Sequence, residues 1–359
     1  MEKKALIAMS GGVDSSVAAL LCQQAGFDCM GVTLKLYDNE DAGLPREKTC
    51  CSVADVADAR SVAFRLGMPF YVFNFKEAFR REVMDRFVQA YERGETPNPC
   101  VDCNRYIKFE KLMRRGEEVG FPYIATGHYA RVEFDGAAGR WLLKKGLDEN
   151  KDQSYMLWSL TQWELSRLLL PLGGLTKERV RQLAEEHGFL NARKRDSQDI
   201  CFVPDGDYAA FIRRYAGKEF PPGAFVGTQG QVYGQHKGII HYTVGQRKGL
   251  GLSFPQPMFV KELDVEKNRV VLAKAEELFS QEVIARDINL ISVESIPAPL
   301  RVKARVRYRQ KEQPATVLQT GPGELRVVFD QPQRAVTPGQ SLVLYDGDVV
   351  VGGGKIARK

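Results

Sequence analysis

Two groups of residues in this sequence are of types that do chemistry. The first lies in "IAMSGGVDSSVAAL", residues 7–20. An apolar stretch runs into a double glycine, then Asp14, Ser15 and Ser16, then helix-forming residues. Strand, glycine turn and helix in that order aim free N–H groups and the positive end of a helix dipole at an anion. Ser10, Ser15 and Ser16 add hydroxyl donors. Asp14 is placed to hold a magnesium ion or to cap the helix. This is not a Walker A loop, because the Gly-Lys-Ser/Thr ending is missing, and it is not a GxGxxG dinucleotide turn. The plain alternative is a capped helix start without a ligand. Against it, all these features coincide at the first β–α turn, where such folds bind ligands.

The second group is the cysteines. There are seven: Cys22, Cys29, Cys50, Cys51, Cys100, Cys103 and Cys201. The odd number, the long chain and the lack of an export signal argue for reduced thiols rather than a disulfide scaffold. "TPNPCVDCNRYIKF" (96–109) carries a C-x-x-C pair. A structural zinc site needs a second such pair or histidines at ligand spacing, and neither is present. A thioredoxin-type pair does not fit behind two prolines, which impose an extended approach. Cys103 falls near the start of a helical stretch, where the dipole, Arg105 and Lys108 favour a thiolate. Cys201 follows the basic run Arg193, Lys194, Arg195 in "RKRDSQDICFVPDG" and is readable, on its own, as a packed apolar residue beside Ile200 and Phe202.

These residues need elements to position them. Strand-like "KKALIAMS", "FDCMGVTLKLY", "MPFYVFNF" and "FPYIATGHYA" alternate with helix-like segments, including "KEAFRREVMDRFVQAYERG" and "SRLLLPLGGLTKERVRQLAEEHG". That alternation predicts a parallel α/β sheet. The polar stretch "DNEDAGLPREKTCC" reads as a loop. After about residue 205 glycines and short β-prone pieces take over. From 281 strands and turn signals dominate, the pattern of a small β-barrel. The expected domains are therefore 1–204, catalytic α/β; 205–280, connecting; and 281–359, an all-β barrel.

The chain has 359 residues, 44% hydrophobic and 27% charged, a composition that excludes a disordered or fibrous protein. No apolar run approaches a membrane span, so a cytoplasmic, membrane-free protein is expected. The net charge of +6 permits nucleic-acid binding without requiring it. "RVKARVRYRQK" is more pointed. Arg301, Lys303, Arg305, Arg307 and Arg309 share one face if the segment is a strand, which would make a phosphate-tracking stripe. "GQRKGLG" (245–251) is a second basic loop. His128 follows a strand end at the expected ligand edge of the sheet. His187, His236 and His241 form no metal spacing.

"SGGVDSS", "TPNPCVDCNRYIKF", "YIATGHYA", "KDQSYML", "DSQDICF", "YTVGQRKGLG" and "VTPGQSLVLYDGD" occur in one order along the chain. Together they resemble the tRNA-specific 2-thiouridylase family of the ATP pyrophosphatase (PP-loop) superfamily. The resemblance implies an adenine-nucleotide-hydrolase-like parallel-sheet domain. It implies that Ala8, Met9, Ser10, Gly11, Gly12, Val13, Asp14 and Ser15 cradle ATP with Mg2+, flanked by Leu34 and Gly127. It implies a Cys201 persulfide, with Cys103 as the partner thiol. Asn98, Pro99 and Cys100 would meet the target base. Lys151, Asp152, Gln153, Arg307 and Tyr308 would meet the tRNA. The implied partners are the anticodon stem-loop and a sulfur-relay persulfide donor, with the enzyme working as a monomer. Cys100 departs from the aspartate that many relatives place there. That makes an iron–sulfur cluster on Cys100, Cys103 and Cys201 conceivable, behind the cluster-free persulfide route. Two other readings stand beside this one. An ATP pyrophosphatase acting on a small molecule leaves the thiols and the basic β-domain unexplained, and a non-catalytic RNA- or metal-binding protein leaves the phosphate loop idle.

Overall fold

The computed structural model describes residues 2–38, 53–196 and 199–358. The expected loop at 38–51, with Cys50 and Cys51, lies outside them but for Asp38. The chain divides into two compact units. One comprises Met1–Val83, Cys100–Gly206 and Asp348–Val351; the other comprises Met84–Pro99, Asp207–Gly347 and Gly352–Lys359.

The first unit is built on strands β1 (Lys4–Ala8), β2 (Asp28–Lys35), β3 (Phe70–Asn74) and β4 (Tyr123–Ala125), an antiparallel hairpin β5 (Ala130–Asp135) and β6 (Arg140–Lys145), and the short β7 (Leu168–Leu169). A parallel sheet runs in the order β3-β2-β1-β4-β7. Ala5, Leu6 and Ile7 of β1 are all fully buried, because a central parallel strand is covered on both faces. β1 lies between β2 and β4, so the strand order reverses there and leaves a crevice at the carboxyl ends of β1 and β4. Helix α1 (Val13–Gln24) buries Val13, Val17, Ala18 and Leu20 in one core cluster with Ile7 and Val62. Each buried Val, Leu or Ile side chain of this cluster stabilises the fold by roughly 1.5–3 kcal/mol. Helix α2 is Val53–Arg65. Helix α3 runs through Lys76–Phe79, Arg80–Met84 and Asp85–Glu92, its middle stretch π-wound, and its residues from Met84 onward belong to the second unit. Helix α4 runs through Pro99–Asp102, the π-wound Cys103–Lys111 and Leu112–Glu118. Helix α5 is Lys177–Glu186.

The helical expectation for 166–188 needs correction. Leu168–Leu169 add the last strand to the sheet, and only Lys177–Glu186 are helical. Pro171, Gly173 and Gly174 interrupt the apolar run, and the Thr176 hydroxyl, accepting from the Arg179 N–H at 3.3 Å, restarts the chain as a helix.

In the second unit, helix α6 (Tyr208–Ala216) precedes a four-stranded sheet. Its strands are β8 (Gly223–Gly227), β9 (Val232–His236), β10 (Phe259–Asp264) and β11 (Arg269–Ala273), in the order β10-β11-β8-β9. Strands β12 (Phe279–Leu290), β13 (Leu300–Arg305), β14 (Gln313–Gly321), β15 (Glu324–Arg334), β16 (Ser341–Asp346) and β17 (Val349–Ile356) follow, and pairing of β12 with both β15 and β17 closes a barrel. Closure removes the open edges that β-rich chains must otherwise protect. β13 ends at Arg305. The five-cation stripe is therefore not one strand face, because Arg307 and Arg309 lie in the turn beyond it.

Candidate active site

The chain turns out of β1 at Gly11, whose φ is +76°. A Cβ there would also stand 2.4 Å from the Asp55 carbonyl oxygen on α2. Glycine is required on both counts. Gly12 forms the N-cap of α1, and no side chain caps the helix. The helix start therefore presents N–H groups that no side-chain cap occupies. Ser15 and Ser16 hydrogen-bond within the loop in this arrangement. Both hydroxyls donate to the Gly12 carbonyl, at 3.0 and 3.1 Å, and Ser15 Oγ also accepts the Ser10 N–H. They shape the loop from within. Val13 turns its side chain into the core. The second wall comes from Thr126-Gly127 at the end of β4: a Cβ on Gly127 would lie 2.7 Å from the Asp14 carbonyl carbon and 2.8 Å from the Ser15 nitrogen. Leu34 sits at the carboxyl end of β2, 8% exposed.

Asp14 neither caps the helix nor offers a free carboxylate to magnesium in this arrangement. Both its oxygens accept from Lys177 Nζ at 2.7 Å, and Oδ1 also accepts from the Tyr129 hydroxyl at 2.7 Å. Burial, then the Asp14 charge, push the Tyr129 hydroxyl far above its usual pKa, so it is a permanent donor. Lys177 also pairs with Asp196, which receives Lys151 and Arg181 as well. Burial opposes ionisation of Asp196, yet the hydrogen bonds from Lys151 and Lys177 outweigh it and hold the carboxyl below its usual range. On the other side of the loop, Lys194 Nζ donates to the Gly11 carbonyl at 3.3 Å and pairs with Asp55 and Asp58. Asn191 donates to the Gly11 carbonyl and to Ser16 Oγ, and its buried Oδ1 has no hydrogen-bond partner among the described residues. None of Tyr129, Lys177, Asn191, Lys194 and Asp196 was singled out for this loop from the sequence; only the basic run before Cys201 hinted at one of them.

Cys103 is 8% exposed and lies in the π-wound stretch of α4, in a helix rather than a loop. Pro99 occupies the first helical position, so Cys100 is in the first turn and exposed, whereas Cys103 is a turn further in. A helix dipole acts within the first turn, so the electrostatic argument made for Cys103 applies better to Cys100. Cys201 is half-buried, and its carbonyl accepts from the Tyr37 hydroxyl at 2.6 Å. Tyr37, Phe79 and Phe202 pack ring to ring at 5.8 Å and fix that backbone. Cys22 and Cys29 are different: burial pushes their thiols up to about 12 and about 11, which leaves them inert. Among the described residues no three His, Cys, Asp or Glu side chains converge to hold a metal. Cys100, Cys103 and Cys201 are not drawn into such a group in this arrangement.

The residues expected to meet tRNA are engaged with the protein. Asp152 accepts from the Gly146 and Ser154 N–H groups and from the Ser154 hydroxyl. Gln153 Oε1 accepts the Tyr129 N–H. Lys151 reaches Asp196 at 2.8 Å. Arg301 pairs with Asp330 and Arg305 with Glu312. Arg307 donates to the carbonyls of Ala335 and Val244 and to Thr337 Oγ1. Lys303, Arg309, Arg247 and Lys248 remain exposed. Arg307→Ala is expected to destabilise the second unit by about 2–3 kcal/mol, since it strips a charged donor from half-buried carbonyls. Arg301→Ala should leave the melting temperature unchanged. Equal melting temperatures for the two variants would contradict this assignment.

His128 is half-buried against Phe109, with its Nδ1 2.7 Å from Thr126 Oγ1. Burial, then the Lys108 charge, hold its pKa well below the ordinary 6.5. The unfolded chain takes up this proton near 6.5 and the folded chain does not. The stability it contributes is complete above that pH and lost as pH falls below it. Melting temperature should fall between pH 6.5 and 5, and His128→Asn should make that fall shallower. An unchanged slope would contradict the role of His128.

Three family models match this chain in succession. One described as tRNA methyl transferase HUP domain covers residues 3–205, one described as tRNA methyl transferase PRC-barrel domain covers 209–274, and one described as Aminomethyltransferase beta-barrel domain covers 280–356. A protein of Clostridioides difficile (strain 630) named tRNA-specific 2-thiouridylase MnmA is 50% identical over 358 residues, 100% of this chain and 99% of the relative. One of Thermoanaerobacter sp. (strain X514), named tRNA-specific 2-thiouridylase MnmA 1, is 51% identical over 357 residues, 99% of this chain and 98% of the relative. Among solved structures, a 4-thiouridine synthetase–RNA complex with bound ATP is 20% identical with a TM-score of 0.36, covering 60% of this chain and 50% of that one. No helix among the described residues is long and apolar enough to cross a membrane. With half of all positions identical along the whole length, the chain belongs to the tRNA-specific 2-thiouridylase family.

Proposed function

We infer that this chain replaces the C2 oxygen of the wobble uridine of tRNA by sulfur in an ATP-dependent reaction. One observation carries the reading beyond family membership. A single compact unit holds a glycine-turned, uncapped helix start at the sheet's switch point together with Cys103 and Cys201. A phosphate-binding loop alone would suit any AMP-forming enzyme; the thiols supply what sulfur transfer needs.

In this reading the N–H groups from Gly11 to Ser15 bind the phosphates of ATP, with Ala8, Met9, Leu34 and Gly127 beside the nucleotide. Mg2+ enters with the nucleotide. The uridine C2 oxygen attacks the α-phosphorus, pyrophosphate leaves, and C2 now carries AMP as a leaving group. The terminal sulfur of a Cys201 persulfide attacks C2 and AMP departs with the original oxygen. Cys103 thiolate then attacks Cys201 Sγ, which breaks the S–S bond, leaves sulfur on the base and forms a Cys103–Cys201 disulfide. Two thiols are oxidised as one sulfur is reduced, so a thiol reductant must restore the enzyme. Release of hydrosulfide by Cys103 before attack is the variant route. Asn98, Pro99 and Cys100 face the base. Contact with the anticodon stem-loop falls to the exposed Arg247, Lys248, Lys303 and Arg309 more than to Arg307, Lys151, Asp152 and Gln153, which the fold already uses; Tyr308 stays a candidate. A persulfide carrier protein loads Cys201, and the enzyme works as a monomer in the reducing cytoplasm.

The test is incubation of the purified protein with ATP, magnesium, a persulfide donor and an unmodified tRNA transcript, followed by nucleoside analysis. ATP-dependent 2-thiouridine is expected, and its absence would overturn the reading.

A further inference from the structure

Lys177 is an unusual place to find a cation. It is the first residue of α5, where the helix dipole opposes positive charge, and its side chain is only 11% exposed. All three of its ammonium hydrogens are directed at carboxylates, with Asp14 Oδ1, Asp14 Oδ2 and Asp196 Oδ1 each at 2.7 Å. Asp14 is in the first turn of α1, immediately behind the phosphate loop.

The wiring around Lys177 has a specific asymmetry. Asp14 keeps the Tyr129 hydroxyl if Lys177 leaves. Asp196 keeps Lys151 and Arg181. Lys177 can therefore move without leaving either half-buried carboxylate unpartnered, which is the usual obstacle to breaking such a pair. The network holds three cations, Lys151, Lys177 and Arg181, on the carboxylates of Asp14 and Asp196, and the Asp148 carboxylate accepts the Lys177 backbone N–H at 3.1 Å. A further lysine, Lys194, does not share this freedom, because its partners Asp55 and Asp58 hold it on the Gly11 carbonyl.

We propose that Lys177 is a phosphate-binding residue of this site, held in reserve on Asp14: its ammonium passes to the pyrophosphate part of ATP and neutralises the charge that gathers there as pyrophosphate leaves. This rests on the reading of the loop as the ATP site. It assigns Asp14 and Asp196 the task of keeping the lysine close until the nucleotide arrives, and Tyr129 the task of keeping Asp14 satisfied afterwards.

The experiment is calorimetric titration of the full-length protein with inorganic pyrophosphate and, separately, with AMP. Lys177→Gln should bind pyrophosphate about tenfold more weakly or worse, the size of one charge-assisted hydrogen bond. AMP affinity should stay within about twofold, and Lys177→Arg should recover most of the pyrophosphate affinity. Unchanged pyrophosphate affinity in Lys177→Gln, or parallel losses for pyrophosphate and AMP, would overturn the proposal and leave Lys177 a structural clamp. A wild-type protein that binds neither ligand would overturn the ATP-site reading as well. If Lys177→Gln does not fold, a crystal structure of the wild type with pyrophosphate decides. Nζ hydrogen-bonded to a pyrophosphate oxygen is expected; Nζ still on both Asp14 oxygens overturns the proposal.

Discussion

Cys201→Ser is expected to abolish 2-thiouridine formation from a persulfide donor, by about a thousandfold or more, while tRNA-dependent release of pyrophosphate persists. A serine oxygen cannot carry a transferable sulfur, but adenylation of the base needs no thiol. The fold should tolerate the change. Cys201 is half-buried, and the backbone is fixed independently of the thiol by the Tyr37 hydroxyl and the Tyr37–Phe79–Phe202 ring cluster. Cys103→Ser should give the same loss for a different reason, since the sulfur could not then be cut free of Cys201. Cys100→Ser separates the roles. That thiol is exposed in the first turn of α4, and the mechanism asks no sulfur chemistry of it. Nucleoside analysis and pyrophosphate release, measured on the same samples, read out all three variants. Full thiolation by Cys201→Ser would remove the persulfide from the account.

Gly11→Ala should weaken ATP binding by about a hundredfold and lower the melting temperature by several degrees. An alanine at φ +76° costs about 1–2 kcal/mol of backbone strain. Its Cβ would also meet the Asp55 carbonyl at 2.4 Å, which is backbone and not the movable end of a side chain. Relief requires the loop and α2 to separate, and Lys194 ties them together through the Gly11 carbonyl, Asp55 and Asp58. Gly12→Ala is the control. Gly12 has φ −88°, and the nearest atom to its Cβ position is Ser10 Oγ at 3.4 Å. It should fold like the wild type, so any loss of affinity there reports crowding of the ligand. Calorimetric ATP titration with thermal melts distinguishes the two, and wild-type binding by Gly11→Ala would contradict the geometry described.

What could be read from sequence was what depends on near neighbours. The glycine turn and the helix after it are local, and so is the alternation that makes β1, β2 and β4 parallel. The loop's serines read as ligand donors only while the local acceptor is left out: both hydroxyls reach the Gly12 carbonyl, three and four residues back. The ion network was invisible for the opposite reason. Lys177 and Asp14 are 163 positions apart, and Asn191 and Gly11 are 180. No spacing rule reaches that far. The cationic stripe failed on a different count. Alternation of basic residues continues through Arg307 and Arg309 after the strand has stopped at Arg305, and in a turn alternate residues no longer share a face. Arg307 then found backbone carbonyls instead of solvent.

The account stands on AMP being attached to the uridine C2 oxygen before sulfur replaces it. The direct measurement is a single-turnover reaction on tRNA whose wobble uridine carries oxygen-18 at C2, with mass spectrometry of the products. One atom of the label in AMP for each 2-thiouridine formed is the expected result. Label found in water or in pyrophosphate, with unlabelled AMP, would contradict it.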